Sequence, residues 1–163
     1  MLIVMFGLPG AGKTFVARQF ALQQGVHFHD GDDDLPGDMR AAIDAAAKVT
    51  PDMRDRFVDA MAAKMDSLLR AHPRVVLAQT FLKQQHRERF LSRFPDARFV
   101  LVAAPSELRE YRLAHRHHQP LQPQYARAMT SLFDPPPSGV FVITNDGDEK
   151  RLEDQLRALA NWK

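Results

Sequence analysis

Gly7-Leu8-Pro9-Gly10-Ala11-Gly12-Lys13-Thr14 constrains this chain more than any other eight residues. It matches G-x-x-x-x-G-K-[ST], and its flanks matter as much as the match. Before it, Leu2 to Phe6 is an unbroken apolar run, the pattern of a strand covered on both faces. After it, Thr14 to Gln24 reads as a helix, with Ala17 and Ala21 on one close-packing face and Gly25 as its stop. Strand, glycine loop and helix N-terminus in that order make a cradle for phosphate. Backbone N–H groups point inward, the helix dipole adds roughly half a positive charge, and Lys13 reaches the β- and γ-phosphates. Thr14 offers a hydroxyl to Mg²⁺. The bland alternative, a glycine turn with a chance lysine, explains neither the strand nor the helix. The expected ligand is a nucleoside triphosphate, ATP by default, held by Gly7, Leu8, Pro9, Gly10, Ala11, Gly12, Lys13 and Thr14.

The rest of the chain repeats the alternation of strand and helix. Val26 to His29 is a short strand that runs into Asp30-Gly31-Asp32-Asp33-Asp34. Met39 to Lys48 is helix-prone on its alanine content. Thr50-Pro51-Asp52 opens a long helix, with a hydroxyl cap, proline at the first position and an acid in the first turn. Phe57, Met61, Met65, Leu68 and Leu69 give that helix one apolar stripe, which reads as core packing. Arg74 to Gln79 is a third strand, Lys83 to Phe94 a basic helix and Arg98 to Ala103 a fourth strand. Pro105-Ser106-Glu107 opens a helix that turns Leu108, Tyr111 and Leu113 toward the core. His117 to Pro123 is polar and broken by proline, so residues 115–124 are expected to form a mobile lid. A short helix at 124–133, a fifth strand at 140–144 and a last helix complete the chain. Asp146 to Glu149 matches a capping box, and Leu152, Leu156 and Leu159 form the last helix's inner face. The expected fold is α/β, a three-layer sandwich with a five-stranded parallel sheet and helices on both faces, in one domain over 1–163.

Composition excludes several classes. The 163 residues carry no cysteine, which rules out disulfides and thiolate metal sites and suits a reducing, cytoplasmic setting. No apolar run is long enough to span a membrane. Lys and Arg number 22 against 20 Asp and Glu, too even a balance to make a nucleic-acid surface by itself.

The chemistry must come from other groups around the loop. Asp30 and Asp32 stand where the second strand ends, the edge at which ligands sit in open α/β sheets. Gly31 permits close approach between them. One acid can hold a Mg²⁺-bound water while the other takes a proton from an acceptor hydroxyl. A solvated acidic turn is the alternative. Arg109, Arg112 and Arg116 lie on one helix face beside the lid, where guanidinium groups can meet phosphate charge. Salt bridges to Glu107 and Glu110 are the alternative there. Lys83 and Arg87 at the head of the basic helix, and Arg56 in the long one, can fork onto an anionic acceptor. His115, His117 and His118 read as loop polarity and not as a zinc site.

In that order, the loop, Asp30-Gly31-Asp32-Asp33, Asp55-Arg56, Thr80-Phe81-Leu82-Lys83 with Arg87, and Arg112-x-x-x-Arg116 resemble the gluconate kinase family. Those are small P-loop kinases of the shikimate kinase and nucleoside monophosphate kinase fold group. The resemblance implies strand order 2-3-1-4-5 and Mg²⁺-dependent transfer of phosphate from ATP to a hydroxyl of a small sugar acid such as gluconate. It implies Asp32 as base, Asp30 supporting Mg²⁺ through water, and Arg56, Lys83 and Arg87 lining the acceptor pocket. Arg116 would close on the phosphates. This chain departs from the family at Asp34-Leu35-Pro36-Gly37, at Gln79-Thr80 and at His118-Gln119-Pro120, all on the acceptor side. Two further readings share the loop: a kinase for a nucleic-acid 5′-hydroxyl or tRNA, and a switch protein that binds a nucleotide without catalysis. For the first, the basic helix is the single candidate runway, and it lacks stacked aromatics.

Overall fold

The structure, a computed structural model, describes residues 1–115 and 123–162, with the backbone alone at 123–125. Five strands form one sheet: β1 (Leu2–Phe6), β2 (His27–Asp30), β3 (Val75–Ala78), β4 (Arg98–Ala103) and β5 (Phe141–Thr144). The order is β2-β3-β1-β4-β5 and every pairing is parallel, as the resemblance implied. β1 sits at the centre, with Leu2 opposite Val75 on one side and Ile3 opposite Arg98 on the other.

A strand's side chains alternate, so the apolar run of β1 feeds two cores. Leu2, Val4 and Phe6 face α3 (Pro51–Ala71) and α4 (Gln84–Arg93), joining Phe57, Met61, Met65, Phe81, Phe90 and Phe99. Ile3 and Met5 face α1 (Lys13–Gln24) and α7 (Glu149–Asn161), joining Val16, Phe20 and the leucines 152, 156 and 159. That double burial is why β1 carries no polar residue. The three-layer sandwich follows from it.

The ends of the elements follow local chemistry. Thr50 Oγ1 accepts from the Met53 N–H at 3.2 Å and Pro51 occupies the first turn of α3, as its sequence predicts. α2 (Gly37–Asp44) stops four residues short of the predicted Lys48. Ala46 turns left-handed at φ 51°, and Ala47 N–H closes the end onto Ala42 O at 2.8 Å. Alanine propensity there yields to the chain's turn toward α3. In α5 (Ser106–Ala114) Leu113 is buried, whereas Tyr111 is 62% exposed and stacks on His115, contrary to its expected core position. The cap of α7 is Asp148, whose Oδ1 accepts from Arg151 N–H at 2.9 Å, two residues later than the predicted box. Asp146 instead pairs with the Arg151 guanidinium at 2.5 Å. α6 (Pro123–Ser131) follows 116–122, so most of the expected lid, Arg116 included, lies outside the described residues.

Candidate active site

All five strands point the same way, so their C-terminal ends share one edge of the sheet, and the site is assembled there. The loop from Gly7 to Thr14 leaves β1 and enters α1. Gly7, Gly10 and Gly12 all have positive φ, at 148°, 79° and 86°. Each also lies against backbone or a buried side chain. A Cβ at Gly10 would come 2.5 Å from Arg109 O, and one at Gly12 would overlap the Asn145 amide. The loop is therefore wedged between α5 and the end of β5. Lys13 Nζ donates to Leu8 O at 3.0 Å, across the loop it belongs to.

Arg112 braces the same loop from the other side. Its Nη1 donates to the carbonyls of Asn145 at 3.1 Å and Ala11 at 3.4 Å. Burial lowers the guanidinium's affinity for its proton without discharging it. Asn145, only 5% exposed, donates from Nδ2 to Ala11 O at 2.8 Å. Sequence reading missed this residue, although its position just past the fifth strand marks the ligand edge.

The acids are held by a 3₁₀ turn, Gly31–Asp34, at the end of β2. Asp30 caps it, with Oδ1 accepting from Asp32 N–H at 3.2 Å. Thr14 Oγ1 donates to Asp30 Oδ2 at 3.0 Å, tying the acidic turn to the phosphate loop. Burial, and then the neighbouring Asp32 carboxylate, raise the pKa of Asp30. His29, buried in the sheet, bonds through Nε2 to Asp34 Oδ2 at 2.7 Å and closes the turn from below. Gly31 admits Gln79 and Met61: a Cβ there would stand 2.8 Å from Gln79 Nε2 and 2.9 Å from Met61 Sδ. Gln79 Nε2 donates to Asp32 Oδ1 at 3.0 Å, which aims that otherwise exposed carboxylate. Gln79 stands where the resemblance expects another residue, and its role was not legible.

A cavity of about 720 Å³ joins these groups, running from Lys13 and Thr14 past Asp30 and Asp32 to a wall built by α2 and α3. Arg112 reaches it as well. Arg56, Lys83 and Arg87 do not. Arg56 turns outward to Asp38 at 2.6 Å and Asp52 at 3.1 Å. Lys83 pairs with Asp134 at 3.1 Å, whose Oδ2 also accepts the Gln84 N–H at the start of α4. Arg87 is 3% exposed, lies over the Phe6 ring and donates to Phe81 O at 2.8 Å and Asp134 O at 2.9 Å. It shares the inner face of α4 with Phe90, three residues on, so helical geometry sends it into the body. Arg89 and Arg93 pair with Asp59 and Asp66 of α3, so the proposed polynucleotide runway is charge-paired.

Besides Lys13 and Arg112, the cations that reach the cavity are Arg18, Arg40 and Arg54, together with His86. Arg54 precedes Phe57, Val58 and Met61 by one and two turns and shares their stripe, a signal the sequence contained. Arg56, two residues on, faces away for the same reason.

The donor set suits Mg²⁺. A half-buried carboxylate and a hydroxyl converge, both hard oxygen ligands, and Mg²⁺ fills its remaining positions with water and phosphate oxygens. Among the described residues no cluster of three His, Asp or Glu could hold a metal by itself, and no helix is long and apolar enough to cross a membrane.

A parallel sheet in this order, with a glycine loop between its central strand and first helix, defines the P-loop kinase fold. The chain belongs to the AAA domain family, which matches residues 2–136. A sugar kinase from Janibacter sp. HTCC2649 superposes with a TM-score of 0.82 at 19% identity, covering 99% of this chain and 92% of its own. A gluconokinase from Sinorhizobium meliloti 1021 gives 0.79 at 21% identity, covering 98% and 93%. The APS kinase CysC of Mycobacterium tuberculosis, solved with AMPPNP and APS, gives 0.66 at 18%, covering 98% and 95%. These likenesses establish the fold. A search of curated proteins gives no match.

Proposed function

We propose that this chain is a small-molecule kinase that moves the γ-phosphoryl group of ATP onto a hydroxyl of a small acceptor. One observation carries the reading: a single cavity connects the phosphate loop, through Thr14 and Asp30, to the aimed carboxylate of Asp32.

The loop amides and Lys13 hold the β- and γ-phosphates, and Arg112 keeps the loop in shape from behind. Thr14 and Asp30 would hold Mg²⁺, Asp30 through water, and the ion would supply charge neutralisation on the phosphate oxygens. Asp32 accepts the acceptor hydroxyl's proton as that oxygen bonds to the γ-phosphorus. The bond from γ-phosphorus to the bridging oxygen breaks, and ADP leaves with the electron pair. Arg116 belongs to this scheme as the lid arginine that meets the charge on the transferring group. The resemblance suggests a sugar acid such as gluconate; among the residues that line the cavity, Arg54 is placed to meet an acceptor's carboxylate.

Asp32→Asn tests the assignment. Loss of a general base typically costs about 10²- to 10⁴-fold in kcat while nucleotide binding persists. Acceptor-dependent ADP release, read beside calorimetric ADP affinity, separates the two. A variant with undiminished turnover would remove Asp32 from the chemistry.

A further inference from the structure

The acceptor end of the cavity has a composition that a polyol acid does not explain. Past Asp32 the wall is Met39 and Ile43 of α2, Phe57 and Met61 of α3, and Leu82 beyond β3. The cations expected for a sugar acid are engaged elsewhere: Arg56 by Asp38, Lys83 by Asp134, and Arg87 by backbone carbonyls. Of the polar groups that remain, Arg40 Nη2 donates to Asp32 O at 2.8 Å, His86 Nε2 bonds Asp55 Oδ1 at 3.1 Å, Gln79 Nε2 donates to Asp32 Oδ1 at 3.0 Å and Arg18 lies over the Phe28 ring, while Asp44 and Thr80 line the rim. Arg54 has no carboxylate partner among the described residues.

Sugar hydroxyls turned onto those apolar side chains would give up water without gaining partners there, a cost paid per group. A hydrocarbon surface placed there gains by leaving water. Met39 and Met61 on that wall carry unbranched thioethers, which adapt to more than one apolar shape.

On the phosphotransfer reading, we infer that the acceptor is an alcohol carried on an apolar body, aryl or alicyclic, with at most one anionic group. The body sits on Met39, Ile43, Phe57, Met61 and Leu82. Its hydroxyl meets Asp32, and a carboxylate, where present, meets Arg54.

The test uses the whole chain with ATP and Mg²⁺, and follows ADP release and the phosphate ester by phosphorus NMR. The acceptors are 3-phenylpropan-1-ol, 4-(hydroxymethyl)benzoate, gluconate and thymidine. The aryl alcohols are expected to raise turnover at least about tenfold over acceptor-free hydrolysis, with gluconate giving no such rise. Ile43→Asp, at a half-buried position, should raise KM for the aryl alcohols about tenfold or more, and Ile43→Val should restore it. Turnover with gluconate or thymidine and none with the aryl alcohols would overturn this inference and leave the kinase intact. An unchanged KM in Ile43→Asp would overturn the proposed seat. No ester from any acceptor, with ADP still bound, would remove the phosphotransfer reading and this one together.

Discussion

A methyl group at position 12 would strike the Asn145 amide, and it would do so from a backbone held at φ +86°. The left-handed region costs an ordinary residue about 1–2 kcal/mol, and the overlap adds to it. Gly12→Ala should therefore fold with a displaced loop and lose nucleotide affinity by about 100-fold or more, equivalent to about 2.7 kcal/mol. Titration with ADP measures this, and wild-type affinity in a folded variant would show that the loop does not need this wedge. Asp30 makes a second prediction at this scale. Its folded pKa is raised, so the folded state binds a proton more readily than the unfolded chain. Stability from this group is then fully present below the unfolded pKa and lost as pH rises through the folded one. At about pH 7 the buried carboxylate is a standing cost, and Asp30→Asn removes the charge, keeps one oxygen to accept from Asp32 N–H and turns an amide N–H toward Thr14 Oγ1. With divalent ions chelated, the variant should melt higher than wild type near neutral pH, and the gap should close below about pH 4. A gap that widened on acidification would contradict the sign.

At the scale of elements, α3 separates residues that stand two apart. Arg54 shares the inward stripe with Phe57 and Met61, whereas Arg56 is tied to Asp38 and Asp52 in solvent. For a carboxylate-bearing acceptor, Arg54→Ala should raise KM by about 10- to 100-fold, the loss of a charge-assisted bond, and Arg56→Ala should leave it within about twofold. The opposite ranking in steady-state kinetics would return Arg56 to the site. The same helix shows what a sequence discloses. Its start, its stripe and its buried methionines follow from period and capping, which are local. The resemblance placed a cation on α3 but attached it to Arg56; counting back one turn from Phe57 selects Arg54. Arg87 was misplaced for a related reason: its destination depends on Phe6 and Asp134, which lie far away in sequence. Gln79 and Asn145 were invisible because their partners, Asp32 and Ala11, are 47 and 134 residues distant. Each stands at a strand end, so the edge rule would have selected the position without revealing the contact.

Across the whole molecule, the parallel sheet brings four separate chain segments to one edge: the loop after β1, the acids after β2, Gln79 after β3 and Asn145 after β5. Their mutual hydrogen bonds are few and single, and two acids, Asp30 and Asp34, have raised pKa values there, burial being the first cause in each. On the proposed function, a nucleotide with Mg²⁺ would engage the loop and the acids directly, and Gln79 and Asn145 through their bonds to them, so it should couple their local openings into the global one. A ligand that binds only the folded state at 100 times its Kd adds about 2.7 kcal/mol, which for a chain of this length raises Tm by roughly 5–10 °C. A non-hydrolysable ATP analogue with Mg²⁺ should produce that rise, and chelating the metal should remove most of it. Lys13→Ala should abolish the rise. An equal rise in Lys13→Ala would mean that the analogue is held somewhere other than the cradle where the four segments meet.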